Sequence, residues 1–213
     1  MRYITFLFSL MLTAGVAQAR EGFHMGFGGG VSSLNGDDAV SVVGISGASP
    51  KTSQGGGGGL LLRIGYNIMG YGALEGLIQG QADSLGIDGE ESWAANWRLG
   101  ARLYPHWHWQ SELPDYLEPL ELSLFLGWGG AYQGYDPLGI DPVAWSEGFG
   151  AFTVGTSLEY FVSDVFKVSL DYFHHAIGYD TFIFNRSTGA EFDVDNADVT
   201  MNQIFLTLLV HVS

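Results

Sequence analysis

The histidines and clustered acids are the residues here whose types and spacing invite chemistry. His106 and His108 stand two apart in Tyr104-Pro-His-Trp-His-Trp-Gln110, which puts both imidazoles on one face of an extended segment, as a metal pair requires. No third or fourth ligand is evident, and the proline and two tryptophans read instead as a turn at a membrane interface. His174 and His175 are adjacent, so on a strand they point to opposite faces and cannot grip one ion. Asp171 and His175 share a face, but no serine completes a triad around them. Asp193, Asp195 and Asp198 form the densest acidic cluster; without the glycine and terminal glutamate of an EF-hand loop, they read as solvated carboxylates open to divalent cations. The run Gly55–Gly59 lacks the Lys-Ser/Thr of a phosphate-binding loop and predicts a flexible loop end. With no cysteine, disulfides, thiolate metal sites and cysteine nucleophiles are excluded. The expectation is a chain without catalytic, cofactor-binding or metal-ligating residues.

The other charges follow a pattern. Arg63, Glu75, Arg98, Arg102, Glu121, Glu159, Lys167 and Asp171, four bases and four acids, alternate with apolar residues. Successive side chains of a strand point to opposite faces, so a wall between lipid and a polar lumen reads apolar, polar, apolar. Leu120, Leu122, Leu124, Leu126 and Trp128 share one face, with Glu121, Ser123, Phe125, Gly127 and Gly129 on the other; Phe125 is the one misfit. The last strand sets Ile204, Leu206, Leu208, Val210 and Val212 against Gln203, Phe205, Thr207, Leu209 and His211. Six further strands are expected near 22–31, 60–68, 73–82, 93–104, 149–161 and 165–177.

Alternation does not say whether the apolar face meets lipid or a core. A soluble lipocalin-like barrel would crowd its exterior with long charged side chains, whereas these charges are few, balanced and separated by glycine, as a narrow lumen needs. In a hairpin centred near Met69, Arg63 and Glu75 fall opposite each other; around Ser163 so do Glu159 and Lys167, and Glu121 can face Arg102 across the third hairpin. The expected result is a salt-bridged plug. Leu61, Phe125, Phe173 and Leu209 on inner faces leave an apolar pocket as the alternative.

At the N-terminus, Met1 and Arg2, the apolar run Ile4 to Leu12 and the tripeptide Ala17-Gln-Ala19 predict a signal peptide over 1–19 and one barrel domain over 20–213. No later apolar stretch approaches membrane-helix length. The chain is rich in glycine (32 residues) and 14% aromatic, with eight Lys and Arg against 23 Asp and Glu. The excess acid falls between the expected strands, at Asp37, Asp38, Asp83, Asp88, Glu90, Glu91, Asp136, Asp141, Glu147, Asp180, Glu191, Asp193, Asp195 and Asp198, against Lys51 and Arg186. Such an end repels nucleic acid and suits cations. Connections alternate long and short, and aromatics gather near strand ends: Tyr66, Tyr71, Tyr104, Trp107, Trp109, Tyr116 and Tyr160 at one, Trp93, Trp128, Tyr132, Trp145 and Tyr179 at the other. Two headgroup-level girdles are expected.

The reading is all-β: an eight-stranded antiparallel up-and-down transmembrane β-barrel. On the glycine-studded first strand Gly26 to Val31, the strand and turn Glu159-Tyr-Phe-Val-Ser-Asp-Val-Phe-Lys167 and the alternating last strand, the whole mature chain resembles the small outer-membrane barrels that include the OmpA transmembrane domain and its OmpX- and OmpW-like relatives. The resemblance implies an integral outer-membrane monomer with periplasmic termini and extracellular loops. Its partners would be outer-membrane lipids, lipopolysaccharide and the barrel-assembly machinery. Its expected role is non-enzymatic, in envelope integrity or surface interactions; the alternatives are a narrow transporter of small or hydrophobic solutes and a lipid-modifying enzyme. Two features depart from the family: the chain ends His211-Val-Ser213 rather than in an aromatic residue, and no peptidoglycan-binding domain is expected after the last strand. Ala176 follows the His174-His175 pair, where lipid A deacylases place a serine two positions after the histidine.

Overall fold

Period-two patterning yields strands that pair in chain order. The computed structural model describes residues 22–37, 52–68, 71–85, 91–105, 119–135, 143–145, 150–163, 165–184 and 190–212. Its strands are β1 (Gly22–Asp37), β2 (Thr52–Ile68), β3 (Gly72–Leu85), β4 (Glu91–Leu103), β5 (Leu120–Tyr135), β6 (Val143–Trp145), β7 (Ala151–Phe161), β8 (Phe166–Phe184) and β9 (Ala190–Val212). All pairings are antiparallel, and β1 closes on β9 from Phe23 opposite Val212 to Gly36 opposite Val199. The result is a closed eight-stranded up-and-down barrel, with no helix among the described residues. The three-residue β6 pairs with β5 at Tyr132–Gly134 and with β8 at Thr181–Ile183, in line with β7. It is too short to carry a readable period.

Several strands run further than their alternation indicated. Only residues 86–90 separate β3 from β4, and 185–189 separate β8 from β9, where long loops were expected. Asp37, Asp83, Glu91, Asp180, Glu191, Asp193, Asp195 and Asp198 therefore belong to strands. The reason is that a ladder is held by backbone hydrogen bonds, which need no apolar face, while alternation appears only where the two faces meet different surroundings. Asp38, Asp88, Glu90, Asp136, Asp141, Glu147, Lys51, Arg186 and the expected leader over 1–19 lie outside the described residues.

Facing is settled by burial. Phe23, Met25, Phe27 and Val31 of β1 and Ile204, Leu206, Leu208 and Val212 of β9 are exposed, while their inward neighbours are buried. The same holds around the ring, giving a continuous apolar belt of a kind that soluble monomers do not carry. Tyr66, Tyr71 and Tyr160 lie outward near the short turns, and Trp93, Trp128 and Tyr132 outward near the opposite end. Tyr104 departs from this arrangement: it is 4% exposed and points inward, because the parity that buries Arg102 also buries the residue two beyond it. Trp107, Trp109 and Tyr116 are outside the described residues, and Trp145 and Tyr179 outside the described side chains.

Glycine lets the ring close around large inner side chains. A Cβ on inward Gly30 would run into the carbonyl oxygen of Ile204 and stand 2.6 Å from the Phe205 ring, whereas one on outward Gly29 would meet nothing within 4 Å. Gly30→Ala is therefore expected to destabilise the barrel by about 1–3 kcal/mol and Gly29→Ala by less than about 0.5 kcal/mol. Urea titration of the chain refolded in lipid vesicles checks both; equal effects would contradict the close approach.

Candidate functional site

The inward side chains form three tiers. Nearest the chain ends is an ionic tier to which all eight barrel strands contribute. Arg63 of β2 lies at its centre: Nη2 donates to Glu75 Oε1 and Glu159 Oε1, each at 2.9 Å, and Nη1 to Asp171 Oδ1 at 2.8 Å. Arg102 Nη2 is 2.9 Å from Glu75 Oε2, and its Nη1 donates to Ser123 Oγ (2.8 Å) and Ser157 Oγ (2.6 Å). Lys167 Nζ joins Glu159 (3.0 Å) to Glu121 (3.1 Å) and lies 4.2 Å over the Phe161 ring. Asp171 also accepts from Ser169 Oγ at 2.7 Å and Thr207 Oγ1 at 2.5 Å. His24 Nε2 donates to Glu75 Oε1 at 2.9 Å. Each carboxylate thus meets a cation where an unpaired ion would be very costly.

The pairing differs from the expected cross-strand register. Arg63 lies opposite Leu77, with Glu75 opposite Gly65, and Lys167 opposite Phe161, with Glu159 opposite Ser169. Both pairs therefore meet on the diagonal, because the two turns are centred one residue later than symmetry of the charges implies. Glu121 pairs with Lys167 rather than Arg102. It lies directly opposite Glu159, a like-charge apposition that Lys167 bridges from β8.

Above this is an apolar tier: Leu61, Leu77, Phe125, Phe173 and Phe205, all at most 1% exposed. Phe125 and Phe173 meet edge-on with ring centres 6.0 Å apart, and Phe173 and Phe205 meet tilted at 6.4 Å. Glycines make room for them: a Cβ at Gly100 or Gly127 would strike the Phe125 ring, and one at Gly155 the Phe173 ring. Leu61, Phe125 and Phe173, expected to border a pocket, pack together here, and Leu209 is buried nearer the chain ends. The sequence reading missed Leu77, whose place among the inward residues of β3 was the available signal.

The third tier is polar, and Arg98 belongs to it rather than to the ionic tier. Arg98 Nε donates to Thr153 Oγ1 (2.7 Å), and its Nη1 to the carbonyls of Trp97 (2.8 Å) and Gly130 (2.6 Å). Thr153 Oγ1 lies 2.7 Å from His175 Nδ1, His175 Nε2 lies 2.8 Å from Gln203 Oε1, and Gln203 Nε2 donates to Gln81 Oε1 at 2.5 Å. This hydroxyl–imidazole–amide chain has the connectivity of a nucleophile, base and orienting group. Yet Thr153, His175 and Gln203 are all fully buried, and Arg98 donates to the oxygen that would have to attack. Asp171 is engaged with Arg63 and does not pair with His175.

His174 faces outward and His175 inward. His106 and His108 lie outside the described residues, and of the Asp193, Asp195 and Asp198 cluster only Asp198 has a described side chain, which is exposed. Among the described residues, no group of three His, Cys, Asp or Glu side chains is placed to hold a metal.

No protein-family model and no curated protein sequence matches this chain. Among solved structures it is similar to Neisserial surface protein A, with a TM-score of 0.58 and 12% identity over 89% of this chain and 97% of that one. It is also similar to the outer membrane protein AlkL (TM-score 0.53, 13% identity, 94% of each chain). A third likeness is to the outer membrane protein OprG from Pseudomonas aeruginosa (TM-score 0.52, 9% identity, 92% of this chain and 99% of that one). At these identities the likeness is one of fold: this chain has the fold of the small eight-stranded outer-membrane β-barrels.

The ionic tier makes a graded prediction. Arg63→Ala leaves Glu75, Glu159 and Asp171 without their shared cation and is expected to cost about 3–5 kcal/mol. Thr153→Val removes one neutral hydrogen-bonding centre and is expected to cost about 1–3 kcal/mol. Urea midpoints followed by heat-dependent gel mobility check the order, which a smaller loss for Arg63→Ala would contradict.

Proposed function

We propose that this chain is an integral outer-membrane protein whose barrel is a sealed, non-enzymatic scaffold, contributing to envelope integrity and presenting its outer loops for surface interactions. The observation that carries this reading is the ionic tier, in which Arg63, Glu75, Glu159 and Asp171 are fully buried, backed by a phenyl tier. A conducting pathway needs polar groups that face water. Here the guanidinium and carboxylate groups of the first tier face one another, and the rings of Phe125, Phe173 and Phe205 pack in the lumen directly beyond them. The apolar belt and the fold shared with outer-membrane proteins support the membrane placement. Outer-membrane lipids and lipopolysaccharide would surround the belt, the barrel-assembly machinery would insert it, and divalent cations would find the acidic outer end. The protein would act as a monomer.

The non-enzymatic reading is supported by the third tier, where the most triad-like grouping among the described residues is buried and its hydroxyl oxygen is occupied by Arg98.

Planar-bilayer recording tests the sealed barrel. The refolded chain, with insertion verified by heat-dependent mobility, is expected to show no discrete current steps under voltage. Regular, reproducible steps from the unmodified protein would overturn the scaffold reading in favour of passage.

A further inference from the structure

Outward positions of a membrane barrel are apolar across the hydrocarbon depth, so an organised polar group there needs a reason. On β9 the outward residues run Leu208, Leu206, Ile204, then Asn202, Thr200 and the exposed Asp198. Asn202 thus stands where the belt ends and polar residues begin. Its direct register partners are His174 on β8 and Ser33 on β1, both facing outward.

The side chains there are tied together. Tyr172 Oη donates to Asn202 Oδ1 at 2.8 Å, and His174 Nδ1 donates to the same oxygen at 2.9 Å. Two donors on Oδ1 orient the amide so that its NH2 group is directed away from both. With Nδ1 engaged, His174 offers its other ring nitrogen, Nε2, to the surroundings. Tyr172 and His174 are exposed, so these unengaged groups meet whatever covers the wall. The amide NH2 is a donor, as is Nε2 of an imidazole that carries a proton on both ring nitrogens.

The geometry points to a site for the phosphate of a membrane-lipid headgroup on the outward face of β8 and β9, formed by His174 and Asn202 and held in place by Tyr172. Three observations select that occupant. The groups on offer suit an oxygen acceptor. The cluster lies at the border between apolar and polar outward residues, the depth of a headgroup. Leu170, Ile204 and Leu206 just below are exposed and would take the acyl chains of the same molecule. Asp198 opposes an anion, but it is four residues along β9, about 13 Å away. The inference rests on the membrane placement proposed above.

The test uses the full chain refolded in micelles of an uncharged glycoside detergent, with imidazole signals followed by NMR and His174 assigned through His174→Gln. Short-chain phosphatidic acid is expected to move the His174 ring signals saturably and leave those of buried His24, His175 and His211 in place. A short-chain diacylglycerol, which lacks the phosphate, should leave His174 unmoved. Asn202→Leu keeps an apolar outer face and is expected to raise the half-saturating concentration about tenfold. No movement with phosphatidic acid, equal movement with diacylglycerol, an equal response to inorganic phosphate, or unchanged affinity in Asn202→Leu would each overturn the site. Insertion into vesicles is measured in parallel: its failure would strike the membrane placement, whereas normal insertion without a His174 response strikes only this inference.

Discussion

An arginine that cannot lose its proton is buried at the centre of the lumen, and the rest of the barrel is arranged so that it can be. Arg63 comes from β2, while the carboxylates it needs come from β3, β7 and β8. Two of those strands lie across the lumen, so the cluster forms only if the sheet closes at this circumference. Buried ion pairs are weak evidence of net stability, because desolvation offsets much of the attraction. What they do set is register. A slip of one residue would turn each inward charge to the apolar outer face, and a slip of two would separate Lys167 from the two glutamates it bridges. In a barrel whose outer belt is apolar, and so nearly indifferent to which Leu meets which, the ionic tier supplies the discrimination between registers.

Volume is the second constraint, and it explains the composition. Eight strands enclose just enough space for side chains to fill. Three phenyl rings, two leucines and three guanidinium groups fit because positions beside them are glycine: Gly100 and Gly127 beside Phe125, Gly155 beside Phe173, Gly30 beside Phe205. Glycine in strands weakens pairing and forfeits packing, so its abundance here is the counterpart of the large inner residues. Arg102 links the two constraints, holding Glu75 at one side and lying 5.4 Å from the centre of the Phe125 ring at the other.

Much of this was legible because two environments imprint a two-residue period. The inward set Arg63, Glu75, Arg102, Glu121, Glu159, Lys167 and Asp171 could be read from alternation alone, as could the opposite facing of His174 and His175. The partners were less legible. Cross-strand reasoning reaches only neighbours in a hairpin, so the bonds from Arg63 to Glu159 and Asp171 across the lumen had no local signal, and Glu121 was matched to Arg102 instead of Lys167. Depth was hidden too. Arg98 shares a strand face with Arg102, yet four residues of rise carry it past the phenyl tier to Thr153. Tyr104 reads as a girdle residue by type, but parity places it inside. The extensions of β8 and β9 beyond the belt were invisible because backbone pairing leaves no hydropathy pattern.

These constraints also bear on where such a barrel can meet other molecules. In the first tier the cations and carboxylates are committed to one another, and the second is the packed cluster of Leu61, Leu77, Phe125, Phe173 and Phe205. In the third, His175 is held between Thr153 and Gln203 at hydrogen-bond distance on both ring nitrogens. The surfaces that closure does not use are the strand ends beyond the belt and the outer wall itself. His174 and His175 show the division within a single dipeptide. The inward ring is spent on joining β7 to β9, while the outward ring is tied to Asn202 by Nδ1 on the exposed wall.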